Sequence, residues 1–308
     1  MQDAQIFTGI YAPELIGMLV IGLLATGFVA GLLAGLLGVG GGIVIVPVLY
    51  LLFTYLDIPA SIIMHVAVAT SLATIIPISI SSARSHHAKG AVNIGVLKSW
   101  GPFILIGAAA GGAASGSIDS RYLQLLFGII ALYVSVSMIL ARGDKPAASK
   151  DSTGTSAALG TSDALDTGDL GEISAGGRGL RGRSIATAIG GASALMGIGG
   201  GAIAVPILSA LTLPVHRAVG TAAAFGFLIA VPGTIGFVWA GIGVDMRPPF
   251  SFGFVSLPAA IIIFSTSMFT VKLGSRIAHA LPAARLRRAF GGFLLLSALN
   301  ILSGVIAF

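Results

Sequence analysis

The chain has 308 residues, 56% of them hydrophobic and 9% charged, with a formal net charge of +6 and no cysteine. Soluble domains carry about 25% charged residues, so this balance excludes a water-soluble fold for most of the chain, whose mean hydropathy is +1.00. The missing thiols exclude disulfides, thiolate metal sites and iron–sulfur chemistry, and the basic residues sit in loops and at the ends of apolar runs, as membrane orientation requires, so the charge is no sign of nucleic-acid binding.

In chain order, the N-terminal stretch MQDAQIFTGIYAPEL has no basic segment before its apolar run, so it is not read as a cleaved signal peptide. Residues 15–37 form the first apolar run, of bilayer-spanning length. A break of four glycines in five residues follows, Gly38, Gly40, Gly41 and Gly42. Clustered glycine ends a helix because it packs no side chain and readily takes positive φ. Residues 43–55 then give about 20 Å of helix, too short to cross comfortably alone. Spans are expected at 61–82, 96–117 and 122–140, with a polar loop from Arg84 to Asn93.

Residues 143–182 are rich in Gly, Ser, Thr, Ala and Asp and contain no aromatic residue. Such a segment buries too little apolar area to offset its ordering entropy and reads as a flexible cytoplasmic linker. The chain therefore divides into a first transmembrane repeat, 1–142, the linker 143–182, and a second repeat, 183–308. The second repeat restates the first. A short run to residue 196 meets a second break, Gly197, Gly199, Gly200 and Gly201, and a short run to 213 follows. Spans are expected at 218–239, 252–273 and 289–306. Gly31, Gly38, Gly40, Gly41, Gly42 and Pro47 recur at a constant offset as Gly190, Gly197, Gly199, Gly200, Gly201 and Pro206.

Inside a bilayer a broken helix is tolerated only where the freed backbone groups face protein or a water-filled cavity. Paired breaks in two halves point to a transporter's binding site. If each broken pair enters and returns to the same side, three spans follow in each half and every basic loop falls on one side, the cytoplasmic one. The expected fold is therefore an all-α integral membrane protein of two inverted repeats, each a glycine-broken helix pair followed by three transmembrane helices. That makes about 8–10 segments, with both termini outside.

The segments GLLGVGGGIVIVP, HVAVATS and GAVN, then GIGGGAIAVP, HRAVGTA and PGTIGFVWAG, resemble the TauE/SafE family of sulfite exporters and related permeases. The duplicated G-x-G-G-G-(x)4-P followed by H-x-A-x-[GA]-T carries the likeness through both halves. It implies an inner-membrane permease for small sulfur-containing anions such as sulfite or sulfonates.

The candidate substrate-binding residues are Gly40, Gly41, Gly42, Thr70, Ser71, Gly199, Gly200, Gly201, Thr221, His65 and His216. The glycines precede helices, whose N-termini offer unpaired N–H groups and about half a positive charge to an anion; close helix packing is the competing reading. Thr70, Ser71 and Thr221 either donate to an oxyanion or bond back to a carbonyl one turn earlier. His65 and His216 could donate to substrate, carry a coupled proton, or satisfy a helix-end carbonyl. His86 and His87 lack carboxylate or thiol neighbours and make a poor metal site. Trp100 and Trp239 read as interfacial anchors.

No expected span carries a central acidic or basic residue, and no nucleotide-binding motif occurs. No cofactor, metal or nucleic acid is expected, only a small anion and the lipid bilayer; proton coupling and homo-oligomerisation stay open. The reading is a permease that exports its anion by alternating access, not an enzyme. The alternatives are an intramembrane enzyme, for which a polar catalytic cluster is missing, and a non-transporting membrane binding protein.

Overall fold

The computed structural model describes residues 13–37, 41–140, 179–211, 213–277 and 283–306. Gly38 and Gly40 of the first break, and residues 141–178, which hold most of the expected linker 143–182, lie outside them. The helices are α1 (Pro13–Leu37), α2 (Gly42–Tyr55), α3 (Ala60–Ala88), α4 (Ile94–Ala114) and α5 (Ser120–Leu140), then α6 (Leu180–Met196), α7 (Gly201–Ala210), α8 (Val215–Gly241), α9 (Leu257–Ile277) and α10 (Ala283–Ile306). Among the described residues six helices are long and apolar enough to cross a membrane. The chain is an all-α, multi-pass membrane protein.

Several boundaries depart from expectation: α10 starts at Ala283 rather than near 289, and α6 starts at Leu180, inside the expected linker. Helix α3 runs on through Arg84, His86 and His87, because nothing in that polar tail breaks a helix before Gly90, which takes φ 68°. The span expected from residue 252 starts later. A hairpin of β1 (Ser251–Phe252) and β2 (Val255–Ser256) precedes α9. Its two-residue turn opens on Gly253 at φ 56°, the glycine-first chemistry of tight hairpins.

Among the described residues the two sets of five helices pack reciprocally. Helix α1 lies along α9, and α6 lies along α4; α3 crosses α8, and α5 crosses α10. Close approaches of backbone fix the directions. Gly220, Gly226 and Gly233 of α8 sit against Ala91, Ser79 and Leu72 in turn, so α8 and α3 are antiparallel. Ser135 Oγ of α5 donates to the Gly291 carbonyl of α10 at 2.8 Å, while Gly128 faces Leu302, so this pair is antiparallel too. Gly27 and Gly31 of α1 meet Ile263 and Ser267 of α9, and Gly107 and Gly111 of α4 meet Thr187 and Gly191 of α6; these pairs are parallel.

Small residues let these helix backbones touch, which is how helices associate where lipid offers no hydrophobic drive. The starts of α3 and α9 share one end of the bundle, since the His65 and Phe254 rings lie 5.0 Å apart. The basic stretches at the ends of α3 and α9 and the starts of α6 and α10 therefore all fall at the opposite end.

The tryptophans separate. Trp239 is 80% exposed, whereas Trp100 is 1% exposed and belongs to the core, not to an interfacial belt. It continues the buried stripe of α4 through Ile104, Gly107, Ala108 and Gly111, at helical spacing. In bilayers containing brominated lipid, the fluorescence of a Trp100→Phe variant, which reports Trp239 alone, should be quenched strongly. Trp239→Phe, which reports Trp100, should be quenched at most about a third as much, and equal quenching would contradict the packing of α4.

Candidate functional site where the two breaks meet

Each broken pair turns on left-handed glycine. Gly41 (φ 71°) precedes α2, and its carbonyl accepts Val44 N at 3.0 Å and Ile45 N at 3.2 Å. In the second half Gly197 (φ 69°) ends α6, then Gly199 (φ 73°) and Gly200 (φ 79°) lead into α7, whose Ala204 N donates to the Gly200 carbonyl at 2.7 Å. A side chain at these φ values is strained, so glycine is required by the backbone itself. Pro47 and Pro206 lie early in α2 and α7 and shape these short helices.

The two breaks touch. A β-carbon on Gly42 would collide with the Gly197 carbonyl oxygen and stand 3.0 Å from Ile198 Cα. Ser71 Oγ of α3 donates to the same Gly197 carbonyl at 2.8 Å. Ile75, one turn on, lies against both breaks, 2.6 Å from the β-carbon position of Gly42 and 3.0 Å from that of Gly199. From the other side Gly226 of α8 reaches the Gly199 carbonyl and Ser79. The structure thus brings together Gly42, Gly199, Gly200 and Ser71 between α3 and α8, while Gly41 sits against Ala30 of α1 and Gly201 opens α7 next in the chain.

This meeting point carries no side-chain charge. No Asp, Glu, Lys or Arg occurs in residues 33–56, 60–83 or 190–216, so the electrostatics there come from the backbone. The first turns of α2 and α7 bring the positive ends of two helix dipoles; two of their N–H groups are already engaged, Gly201 N on the Gly199 carbonyl and Val44 N on that of Gly41, each at 3.0 Å.

The remaining candidates lie elsewhere. His65 Nε2 is 3.1 Å from the Ser115 carbonyl and 3.0 Å from that of Ile118. Two carbonyls on one ring nitrogen require a proton there, so Nε2 donates to both and ties α3 to the end of α4. His216 is exposed at the start of α8, at the other end of the bundle. Thr221 Oγ1 donates to the Arg217 carbonyl at 2.8 Å and accepts Asn93 N at 2.9 Å. Thr70 Oγ1 accepts Ser256 N at 3.0 Å. Gly40 lies outside the described residues. Ile75, Ser79 and Gly226 are additions that motif reading missed; the constant offset pairing Thr70 with Thr221 also pairs Ile75 with Gly226, the signal that could have found them.

A sequence profile described as sulfite exporter TauE/SafE matches residues 23–301. The chain belongs to the TauE/SafE sulfite exporter family. A probable membrane transporter protein of Haemophilus influenzae is 34% identical over 278 residues, 90% of this chain and 96% of its own length. Probable membrane transporter proteins of Methanocaldococcus jannaschii (28% identical, 86% of this chain and 88% of the relative) and Bacillus subtilis (30%, 71% and 78%) are also similar. No solved structure matches the chain. The family and these relatives make the protein a membrane transporter, and the TauE/SafE match spans both glycine breaks and every helix between α1 and α10.

Proposed function

We propose that this TauE/SafE transporter moves a small sulfur-containing anion, sulfite or a sulfonate, across the cytoplasmic membrane by alternating access, with export as its direction. The observation that carries this reading is the contact of the two glycine breaks, Gly42 against Gly197 with Ile75 over both. The positive ends of two helix dipoles lie there, and the anion is held by main-chain N–H groups without a cationic side chain, while Ser71, whose hydroxyl proton is on the Gly197 carbonyl, holds the second break in place. The antiparallel crossing of the equivalent helices α3 and α8 supports two repeats inverted in the membrane. The shared end of the basic stretches is then cytoplasmic. With no fixed charge at the site, the bound anion carries the only net charge, and a negative interior opposes its import by about 2.3 kcal/mol per charge per 100 mV.

The test is flux in proteoliposomes with sulfite, sulfate, thiosulfate, sulfoacetate and taurine, at varied pH and potential. Saturable movement of at least one sulfur oxyanion, accelerated by a potential that draws anions outward, is the expected result. A correctly inserted protein that moves none of the five overturns the proposal. A rate that depends on a pH gradient would assign proton coupling.

A further inference from the structure

The two threonines that the breaks do not use make matching bonds. Thr70 of α3 accepts the N–H of Ser256, the residue before α9, at 3.0 Å. Thr221 of α8 accepts the N–H of Asn93, the residue before α4, at 2.9 Å. Each hydroxyl comes from the third helix of one half, and each N–H from the residue that opens the fourth helix of the other half. Both threonines are fully buried. Because α3 and α8 are antiparallel, the two bonds lie toward opposite ends of the bundle. Thr221 stands level with about residue 84 of α3, so they are roughly 20 Å apart. Ser79 and Gly226, which touch each other, lie between them beside the breaks.

We infer that Thr70 and Thr221 are positioning residues that hold two opposite gates, each closed by its hydroxyl on the N–H of the facing half. The inference rests on the alternating-access reading above. Opening one face parts α3 from the β1–β2 hairpin and the start of α9, which breaks the Thr70 bond and keeps the other. Opening the opposite face parts α8 from the start of α4 and breaks the Thr221 bond alone. One neutral hydrogen bond suits the task, since its loss shifts an equilibrium only about two- to tenfold, which lets either face open thermally. The neighbourhood is tight at both places. A β-carbon at Gly220 would collide with the Ala91 carbonyl, and Phe254 is seated on the His65 ring.

The chain has no cysteine, so Ser79→Cys gives a single reporter between the gates. Its labelling by a membrane-impermeant maleimide is measured from each face in oriented vesicles, without substrate. Thr70→Val should raise the ratio of Ser256-side to Asn93-side labelling by about threefold or more, and Thr221→Val should lower it by a similar factor. Thr→Ser at either position should restore the starting ratio. Ser256→Pro removes the same N–H from the donor side, in a position where Pro59 and Pro214 already open helices of this fold, and should act as Thr70→Val does even if the valine variant fails to fold. Shifts in the same direction for both threonines, or no shift in folded variants, overturn the inference. Opposite shifts in a protein that moves no anion would keep the gates and discard the substrate.

Discussion

Gly42→Ala should cut transport about 100-fold while leaving an inserted, folded protein. The added methyl would stand 2.6 Å from Ile75 Cδ1, 3.0 Å from Ile198 Cα and in collision with the Gly197 carbonyl oxygen. The isoleucine can turn away, but the carbonyl belongs to the backbone of the second break and moves only if the two breaks separate. Overpacking of this kind costs about 1–3 kcal/mol, and 1.36 kcal/mol is tenfold in rate, so the upper part of that range gives the stated loss. The strain falls on the start of α2 and on the turn that begins at Gly197, between α6 and α7, rather than along the length of a long helix. Gly22→Ala, where a β-carbon meets nothing within 4 Å, is the control. Initial flux at matched protein and unchanged thermal stability is the measurement, and a Gly42→Ala protein at full rate would remove the breaks from the site.

Gly107→Ala combined with Gly190→Ala should instead cost the fold itself, by about 3 kcal/mol or more. Each methyl is aimed at a backbone carbonyl of the facing helix, Gly107 at Thr187 and Gly190 at Ile104, with Gly111 on Gly191 continuing the same seam. A parallel seam between two long helices has no short segment to absorb the displacement, so α6 must lift off α4 along its length. A fall in melting temperature in detergent and loss of the monodisperse peak are expected, against a Gly292→Ala control whose methyl meets nothing within 4 Å. A double variant as stable as the parent would refute the close packing of α4 on α6.

How much of this was legible beforehand depends on whether the signal was local. The duplicated breaks, the shortness of α2 and α7, and the start of α4 at Asn93, whose side chain accepts Val96 N at 3.1 Å, follow from adjacent residues whose backbone preferences decide the matter. The fate of the hydroxyls did not. Asn93 is 128 residues from Thr221, and Ser256 is 186 residues from Thr70, and no pattern of neighbours announces such partners. Ser71, beside Thr70, points at the other break. Two adjacent residues on a helix face different neighbours, a distinction that residue type alone does not carry.

Trp100 was readable in principle, because Val96, Ile104, Gly107 and Gly111 mark the buried stripe on which it sits. Its aromatic character suggested the membrane surface instead. The hairpin before α9 was hidden by its size, two residues per strand, which is too short for any alternation to show. Ile75 stood out to no motif, and only the offset to Gly226 sets it apart.

The reciprocal docking of α1 on α9 bears on how the protein is made. Helix α1 finds its long-term neighbour α9 only after residue 277 has been synthesised. At about 5–20 residues per second it waits in the bilayer for roughly 10–50 s with its glycine face uncovered. Neither half completes its packing without the other, so nascent chains stalled before α9 should be substrates for membrane quality control.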